Sequence, residues 1–308
     1  MKSINILACA NGVGISRDIA IIQDVLSRAD FNVEVNNPFR PVVNKKYDLN
    51  IFLERFNTPW FAAANKNVMI PNQEWFEPAW LPQLKRFDVI FTKTRFADAV
   101  FKSLKCKTEF ISFTSDDRFL PDVKKDEFSW IHVVGKSIQK QTDIVYRTWE
   151  RNPGFPQLTI IHDPKFYKPR PVLRNINYMY CRVPEQLLKV MQNTANVHVC
   201  PSETEGFGHY IMEAMSCQGV VLTTDAPPMN EFITPERGAF VKPIHQEPMR
   251  LSTKFIISED VLEKAVINLT VIPGQTQRQM GQAAREFFLN NDLFFRSRLL
   301  ESVNGILA

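Results

Sequence analysis

Short apolar runs alternate along this chain with longer segments whose apolar residues recur every three or four positions. Residues 4–8 form a run of the length of a buried strand, and residues 16–28 follow with their apolar side chains on one face of a helix. This alternation is typical of parallel sheets covered by helices, because two parallel strands must be joined by a crossover segment. The pattern therefore predicts an α/β protein.

The same alternation continues to the end of the chain, with one interruption. Further strands are predicted at residues 50–53, 67–70, 88–92, 130–134, 158–162, 175–180, 197–200 and 220–224. Further helices are predicted at residues 95–103, 142–151, 184–193, 210–216, 258–269 and 277–289. Residues 114–128 hold Pro121 and a charge run instead, which indicates a linker. We expect two doubly wound, Rossmann-like domains that face each other across a cleft, with residues 1–118 in the first and residues 119–308 in the second.

Composition excludes several classes of protein. The 308 residues are 44% apolar and 23% charged, which is ordinary for a globular protein, and the net charge of +4 is spread along the chain, so no nucleic acid is expected as a partner. Five cysteines without a C-x-x-C pair argue against a disulfide framework or a structural zinc site. No apolar run reaches the length of a transmembrane segment. We expect a cytoplasmic protein.

Two glycines mark the end of the first predicted strand. Gly12 and Gly14 lie where the first helix opens, and the N-terminus of a helix favours an anion. The dinucleotide fingerprint requires a third glycine where Arg17 stands, so a nicotinamide cofactor is disfavoured. The segment is either a phosphate-binding turn or a tight turn without a ligand.

A second glycine follows the first strand of the second predicted domain. Gly135 permits a sharp turn at the strand end, and Lys136 and Lys140 follow it. Two cations brought together are costly unless an anion joins them, so the pair is a candidate phosphate site. Two exposed lysines on a surface turn are the alternative.

The stretch from residue 201 to residue 215 is the most informative part of the sequence. Glu205 lies on a glycine-flanked loop, and Glu213 lies eight positions later within an apolar helix. Carboxylates are strong acceptors for sugar hydroxyls, and a buried carboxylate needs a partner. The amides at the start of this helix are suited to a phosphate.

Residues 205–217 and 220–225 resemble the E-x7-E segment of GT-B-fold glycosyltransferases, and more narrowly glycosyltransferase family 4, also called the group 1 glycosyltransferases. Gly135, Lys136 and Lys140 are similar to that family's phosphate-binding pair, and residues 12–14 are similar to its N-terminal glycine loop. The resemblance implies a GT-B fold whose last helix, at about residues 292–307, crosses back to the first domain. It also implies a retaining, metal-independent enzyme that transfers a hexosyl or pentosyl unit from a nucleoside-diphosphate sugar to an acceptor hydroxyl.

The resemblance implies a role for each matching residue. Glu205 would hold hydroxyls of the donor sugar, Glu213 would hold the ribose, and Lys136 and Lys140 would neutralise the diphosphate leaving group. Other implied donor-binding residues are Gly12, Gly14, Gly135, Arg182 and Val183 beside the base, Gly206, Phe207, Gly208 and His209. No cofactor is implied beyond the nucleotide-sugar co-substrate, and the sequence contains no D-x-D pair to hold a metal.

The acceptor is expected on the first domain. Asn72, Glu74 and Trp75 directly follow a predicted strand, and an aromatic ring beside amide and carboxylate groups suits a sugar, although Trp75 also fits a plain loop anchor. A glycan or another hydroxyl-bearing molecule is the expected acceptor. Two other functions stay open, namely a nucleotide-sugar epimerase or hydrolase of the same fold, and a degenerate GT-B module that binds a glycan or nucleotide.

Overall fold

Two six-stranded parallel sheets organise the computed structural model, which describes residues 1–12, 14–42, 44–166 and 170–308. Each sheet is the centre of one compact unit. Unit 1 comprises Met1–Asp116, Pro248–Ser252 and Asn290–Ala308, and unit 2 comprises Asp117–Glu247 and Thr253–Leu289. Val13 of the predicted glycine loop lies outside the described residues.

Unit 1 contains the first eight elements of the chain. They are β1 (Ser3–Leu7), α1 (Gly14–Ser27), β2 (Asn32–Asn36), β3 (Tyr47–Leu53), β4 (Ala64–Ile70), β5 (Val89–Thr92), α2 (Arg95–Ser103) and β6 (Thr108–Phe110). The strand order is β2-β1-β3-β4-β5-β6. The central strands are almost continuously buried, as strands covered on both faces must be. An aromatic cluster that includes Phe52, Trp60 and Phe76 forms much of the core of this unit.

A ladder of four asparagines, three of them buried, crosses the sheet of unit 1. The side-chain amide of Asn36 donates to Asn5, Asn5 donates to Asn50, and Asn50 donates to Asn67, at 2.9, 2.9 and 3.0 Å respectively. Asn67 in turn donates to the carbonyl oxygen of Phe61 at 3.2 Å. Because Asn5, Asn50 and Asn67 are aligned in the strand register, each amide finds its partner on the neighbouring strand.

The chain from Asp117 onward forms the remaining elements. They are β7 (Asp126–Gly135), α3 (Thr142–Arg151), β8 (Gln157–His162), β9 (Ile176–Met179), α4 (Glu185–Thr194), β10 (Ala195–Cys200), α5 (His209–Ser216), β11 (Val220–Thr224), β12 (Gly238–Val241), β13 (His245–Met249), β14 (Ser252–Ile256), α6 (Glu259–Thr270) and α7 (Gly274–Leu307). The large sheet has the order β12-β11-β10-β7-β8-β9, and β13 pairs with β14 alone. The parallel β7 and β10 are neighbours, so their carboxyl ends lie at the same edge.

The predicted pair of doubly wound parallel sheets is confirmed, but several local predictions were wrong. The prediction omitted the edge strands β2, β6 and β12 and the separate pair β13 and β14, none of which is fully buried. The predicted break between residues 289 and 292 is absent, because α7 is continuous there. Asn291 does not interrupt the helix, since its side chain accepts from Ser112 and donates to the carbonyl of Phe113, both at 2.6 Å. Within the described residues, none of the helices combines the length and the apolar character that crossing a bilayer requires.

Candidate active site

A left-handed glycine ends β7 and opens the predicted phosphate loop. Gly135 has φ +60°, and a Cβ built on it would meet no atom within 4 Å, so the space beside it is open. Lys136 follows and is half-buried. Among the described residues it makes no hydrogen bond or ion pair, which leaves its ammonium available to an anion.

Lys140 lies at the other end of this loop and is held in place. Its Nζ donates to the carbonyl of Val133 at 2.9 Å and lies 3.7 Å from the ring centroid of Tyr210 on α5. A cation over the face of an aromatic ring is attracted by the ring's quadrupole. The ammonium is therefore fixed beside the first turn of α5.

Glu205 lies on the loop between β10 and α5, close to the same ring. Ser202 Oγ donates to Glu205 Oε1 at 2.6 Å, and Ser202 also shares a hydrogen bond with the hydroxyl of Tyr210. Burial raises the pKa of the Glu205 carboxyl, while the Lys140 ammonium and the Ser202 hydroxyl act in the opposite direction. The structure thus places Glu205 and Lys140, which the sequence predicted at the sugar and the diphosphate, on either side of Tyr210 and Ser202.

The two loops are also joined through backbone groups. Glu203 N donates to the carbonyl of Gln139 at 2.8 Å, and Gln141 Nε2 donates to the carbonyl of Pro201 at 2.9 Å. Gln141 is buried, and its Oε1 accepts from Ile257 N at 2.9 Å, so it connects three segments. The relative position of the lysine loop and the glutamate loop is therefore set by hydrogen bonds that the sequence did not reveal.

Close packing surrounds the start of α5. Gly208, the residue before α5, has φ +100°, and a Cβ there would lie 3.3 Å from Ile211 Cδ1 and 3.8 Å from Glu205 Cγ. Gly206 is buried, and the buried Phe207 ring packs edge-on against His209 and Phe232 at 5.5 and 5.3 Å. The first N–H groups of a helix commonly lack an intrahelical acceptor, and the start of a helix is therefore suited to a phosphate.

Glu213 lies on α5 and is 2% exposed. Its Oε2 accepts from Gln192 Nε2 at 3.1 Å and lies 4.0 Å from Nε of Arg118, which is itself 2% exposed. Arg118 also donates to Gln192 and to Glu185 at the start of α4. The sequence indicated that a carboxylate buried at this position needs a partner, and Gln192 and Arg118 are those partners. The spacing of residues in the sequence identified neither of them.

The residues predicted beside the nucleotide base lie between β9 and α4. Arg182 is exposed, whereas Val183 is half-buried and packs against a small apolar cluster with Ile131 and Ile161. Arg182 is thus accessible to a ligand, whereas Val183 is held by the apolar cluster. The placement of these two residues beside the nucleotide base stays a prediction.

Gly12 and Gly14 of the predicted glycine loop lie at the start of α1 in unit 1. Gly12 has φ +72°, and its N–H donates to Ser16 Oγ at 2.8 Å, while Gly14 is the first residue of α1. The amide of Gly12 is thus engaged by the helix that it precedes. The predicted role of both glycines in donor binding is not tested by these contacts.

The predicted acceptor residues follow β4 in unit 1. Asn72 donates to Glu54 Oε2 at 2.9 Å and accepts from Lys93 Nζ at 3.1 Å, and the same ammonium forms a buried ion pair with Asp18 at 2.6 Å. A continuous polar chain therefore crosses the carboxyl edge of this sheet. Lys93 and Asp18 were not among the predicted site residues.

Trp75 and Glu74 complete this edge. Glu74 is buried, and Trp75 is half-buried with the Arg250 guanidinium 5.0 Å from its ring centroid. Arg250 is also paired with Glu77 at 2.7 Å. Trp75 is therefore held by neighbours from the same unit, which fits the loop-anchor interpretation as well as sugar stacking.

Solved structures share this architecture over almost the whole chain. HepE from Anabaena in complex with UDP-glucose has a TM-score of 0.76 at 14% identity and covers 99% of this chain and 100% of its own. Sucrose-phosphate synthase from Thermosynechococcus elongatus has a TM-score of 0.70 at 14% identity, with 99% and 98% covered. A glycosyltransferase from Rickettsia africae has a TM-score of 0.74 at 12% identity, with 99% and 98% covered. These likenesses show that the protein has the GT-B fold, as predicted.

The sequence adds a family match. Residues 173–287 match the family described as glycosyl transferases group 1. The resemblance drawn from the E-x7-E segment is confirmed, since Glu205 and Glu213 lie inside the match, whereas Lys136 and Lys140 lie before it. None of the curated proteins compared with the chain matches its sequence.

Proposed function

We propose that the protein transfers a glycosyl unit from a nucleoside-diphosphate sugar to an acceptor hydroxyl. The observation that carries this proposal is the convergence of Lys140 and Glu205 on Tyr210 and Ser202, at the adjoining carboxyl ends of β7 and β10. A cation and a carboxylate placed together at the start of a helix suit a ligand that combines an anionic group with hydroxyls. A nucleotide sugar is such a ligand, and HepE, which shares the fold, was crystallised with UDP-glucose.

In this proposal the diphosphate is bound by Lys136, Lys140 and the first amides of α5. Each charge-assisted hydrogen bond contributes about 1.5–3 kcal/mol, and one preorganised donor aimed at developing charge contributes about 10²–10³ in rate. Glu205 accepts hydroxyls of the donor sugar, and Glu213 accepts those of the ribose. Arg182 and Val183 flank the base.

We further propose that no metal ion takes part and that the configuration of the transferred sugar is retained. Two lysines and helix-end amides supply the positive charge that a metal would otherwise supply to the leaving diphosphate. The ranges that the structure describes contain no group of three or more His, Cys, Asp and Glu side chains placed to hold an ion. Retention follows only from the family resemblance, and product analysis by NMR of the anomeric proton tests it.

We place the acceptor on unit 1, at the edge formed by Asn72, Glu74 and Trp75. The polar chain through Asn72 offers both donors and acceptors of hydrogen bonds, as a hydroxyl-bearing acceptor requires. We also propose a cytoplasmic location, which is supported by five free cysteines that form no disulfide.

A thermal-shift screen against nucleoside diphosphates and nucleotide sugars tests the donor site. A ligand present at about 100 times its dissociation constant stabilises the protein by about 2.7 kcal/mol, which is a readily measured shift. The shift should be lost in Lys140→Met and kept in Lys264→Met, a control at an exposed position of α6. A shift that survives Lys140→Met would contradict the diphosphate assignment.

Turnover then separates transfer from the other two functions. Release of nucleoside diphosphate that requires an added acceptor indicates a transferase, whereas release without acceptor indicates hydrolysis, and binding without release indicates a binding module. Glu205→Ala is expected to lower turnover at least about tenfold, on the scale of a lost group at the reacting sugar. Unchanged turnover in Glu205→Ala would remove that residue from the site.

A further inference from the structure

Tyr210 is linked to both of the groups to which the proposed function assigns the chemistry, directly to Lys140 and through Ser202 to Glu205. The face of its ring lies 3.7 Å from Lys140 Nζ. Its hydroxyl is hydrogen-bonded to Ser202 Oγ, which reaches Glu205 Oε1 at 2.6 Å. Tyr210 is 6% exposed and Ser202 is fully buried, so neither side chain is free to choose other partners in water.

The direction of the hydrogen bonds follows from counting protons. An ionised carboxylate only accepts, so the single proton of Ser202 is donated to Glu205. Ser202 must then accept from the hydroxyl of Tyr210. Burial raises the pKa of Tyr210 well above its ordinary value, which keeps that proton on the tyrosine. The hydrogen bonds therefore run from Tyr210 to Ser202 and from Ser202 to Glu205. This pair of hydrogen bonds is called the Ser202 relay.

The backbone of Ser202 fixes the middle of this relay. Its carbonyl oxygen accepts from Thr224 Oγ1 at 2.7 Å, and its N–H donates to the carbonyl of Cys200 at 3.0 Å. A serine held at both backbone groups can direct its hydroxyl only through χ1. The relay thus fixes the position of Oε1 of Glu205.

The ring of Tyr210 acts on Lys140 in a different way. A lysine has three N–H donors at the end of a flexible side chain, and Lys140 donates one of them to the carbonyl of Val133. The ring face beneath Nζ defines the position of the ammonium without using a further acceptor. The position of the ammonium is thus set by two contacts, one with Val133 of β7 and one with Tyr210 of α5.

We propose that Tyr210 is a positioning residue that places both groups of the donor site, Lys140 through its ring and Glu205 through the Ser202 relay. This inference rests on the proposed function. Its distinctive consequence is that the two effects are separable, because the ring and the hydroxyl can be removed independently. A tyrosine that merely filled space in the first turn of α5 would show no such separation.

Kinetic analysis of three variants tests the separation. Tyr210→Phe keeps the ring and breaks the relay, so kcat should fall about threefold to tenfold, the range of one hydrogen bond, with the affinity for nucleoside diphosphate unchanged. Ser202→Ala should give the same fall, and the double variant should be no worse than either single one. Tyr210→Leu removes the ring as well and should in addition weaken binding of nucleoside diphosphate.

Tyr146→Phe is the matched control. Tyr146 on α3 is also buried, its hydroxyl donates to the carbonyl of Pro171 at 2.8 Å, and its ring lies 4.4 Å from the guanidinium of Arg170. Tyr146→Phe therefore removes a hydroxyl oxygen from a similar environment, as Tyr210→Phe does, and its kcat should equal that of wild type.

The outcomes distinguish the inference from the proposed function. If Tyr210→Phe matches Tyr146→Phe in kcat while Glu205→Ala loses turnover, the relay is refuted and the proposed function stands. Additive effects of Tyr210→Phe and Ser202→Ala would also refute the relay. A wild-type protein that binds no nucleoside diphosphate overturns the proposed function, and the inference with it.

Discussion

Replacement of Gly135 by alanine tests why β7 ends on a glycine. The added methyl group meets no atom within 4 Å, so packing contributes nothing and the backbone decides the change in stability. An L-residue at φ +60° is disfavoured by about 1–2 kcal/mol relative to glycine. We therefore expect Gly135→Ala to lower the free energy of unfolding by about 1–2 kcal/mol in urea titrations. Gly154→Ala, which is equally open but lacks a positive φ, should change it by less than about 0.5 kcal/mol.

The same position separates strain from contact with a ligand. If the donor diphosphate approaches the backbone at Gly135, any side chain displaces at least one charge-assisted hydrogen bond, worth about 1.5–3 kcal/mol. Affinity for nucleoside diphosphate should then fall about tenfold to a hundredfold, as measured by calorimetry. Gly135→Asn is the informative variant, because asparagine tolerates the left-handed region and should restore stability without restoring affinity.

Two results would refute this reasoning. Wild-type affinity in Gly135→Asn would show that the ligand does not use the open space. Wild-type stability in Gly135→Ala would show that the positive φ is not what requires glycine.

Three further predictions concern stability. Glu205→Gln should raise the free energy of unfolding at about pH 7, because burial raises the pKa of this carboxyl and the native state bears the cost of its charge. The gain should shrink as the pH falls and vanish well below the ordinary pKa of 4.5, where both states are protonated. In α7, Gly281→Ala places a Cβ 2.2 Å from the carbonyl oxygen of Gln218 and should lower the free energy of unfolding by about 1–3 kcal/mol. Gly305→Ala, in the same helix, places a Cβ with no atom within 4 Å and should raise the free energy of unfolding by up to about 1 kcal/mol. Thermal melts compare the two variants. Burial lowers the pKa of Lys125 to about 8, so wild-type stability should rise relative to Lys125→Met between about pH 8 and pH 10, where only the unfolded state holds the proton.

The sequence predicted the interior strands well because their burial leaves a continuous apolar signature. It failed where a tertiary contact overrides local preference. The polar β2 is a strand because it pairs along β1, and Asn291 is helical because Ser112 and Phe113 engage its side chain. Neither partner is near in sequence to the residue that it stabilises.

The candidate site divides in the same way. The spacing of Glu205 and Glu213 and the glycines around them carried a recognisable signal, since a loop that approaches a ligand restricts residue type. Tyr210, Ser202 and Arg118 carried none, because tyrosine, serine and arginine are common and their partners are fixed only when the strands assemble. A side chain that holds a functional group in place can be chosen from many residue types, so its identity is not written in a motif.

The asparagine ladder of unit 1 bears on how this chain reaches one structure rather than several. Buried Val, Ile and Leu are nearly interchangeable, so apolar strands alone would tolerate a slip against their neighbours. A slip by one residue would carry Asn50 to the opposite face of the sheet and leave the amides of Asn5 and Asn67 unsatisfied in the interior, each at a cost of about 1–3 kcal/mol. The ladder thus selects the register of β1, β3 and β4 while the sheet assembles. It raises the free energy of a slipped pairing of these strands and adds little to the stability of the correct one.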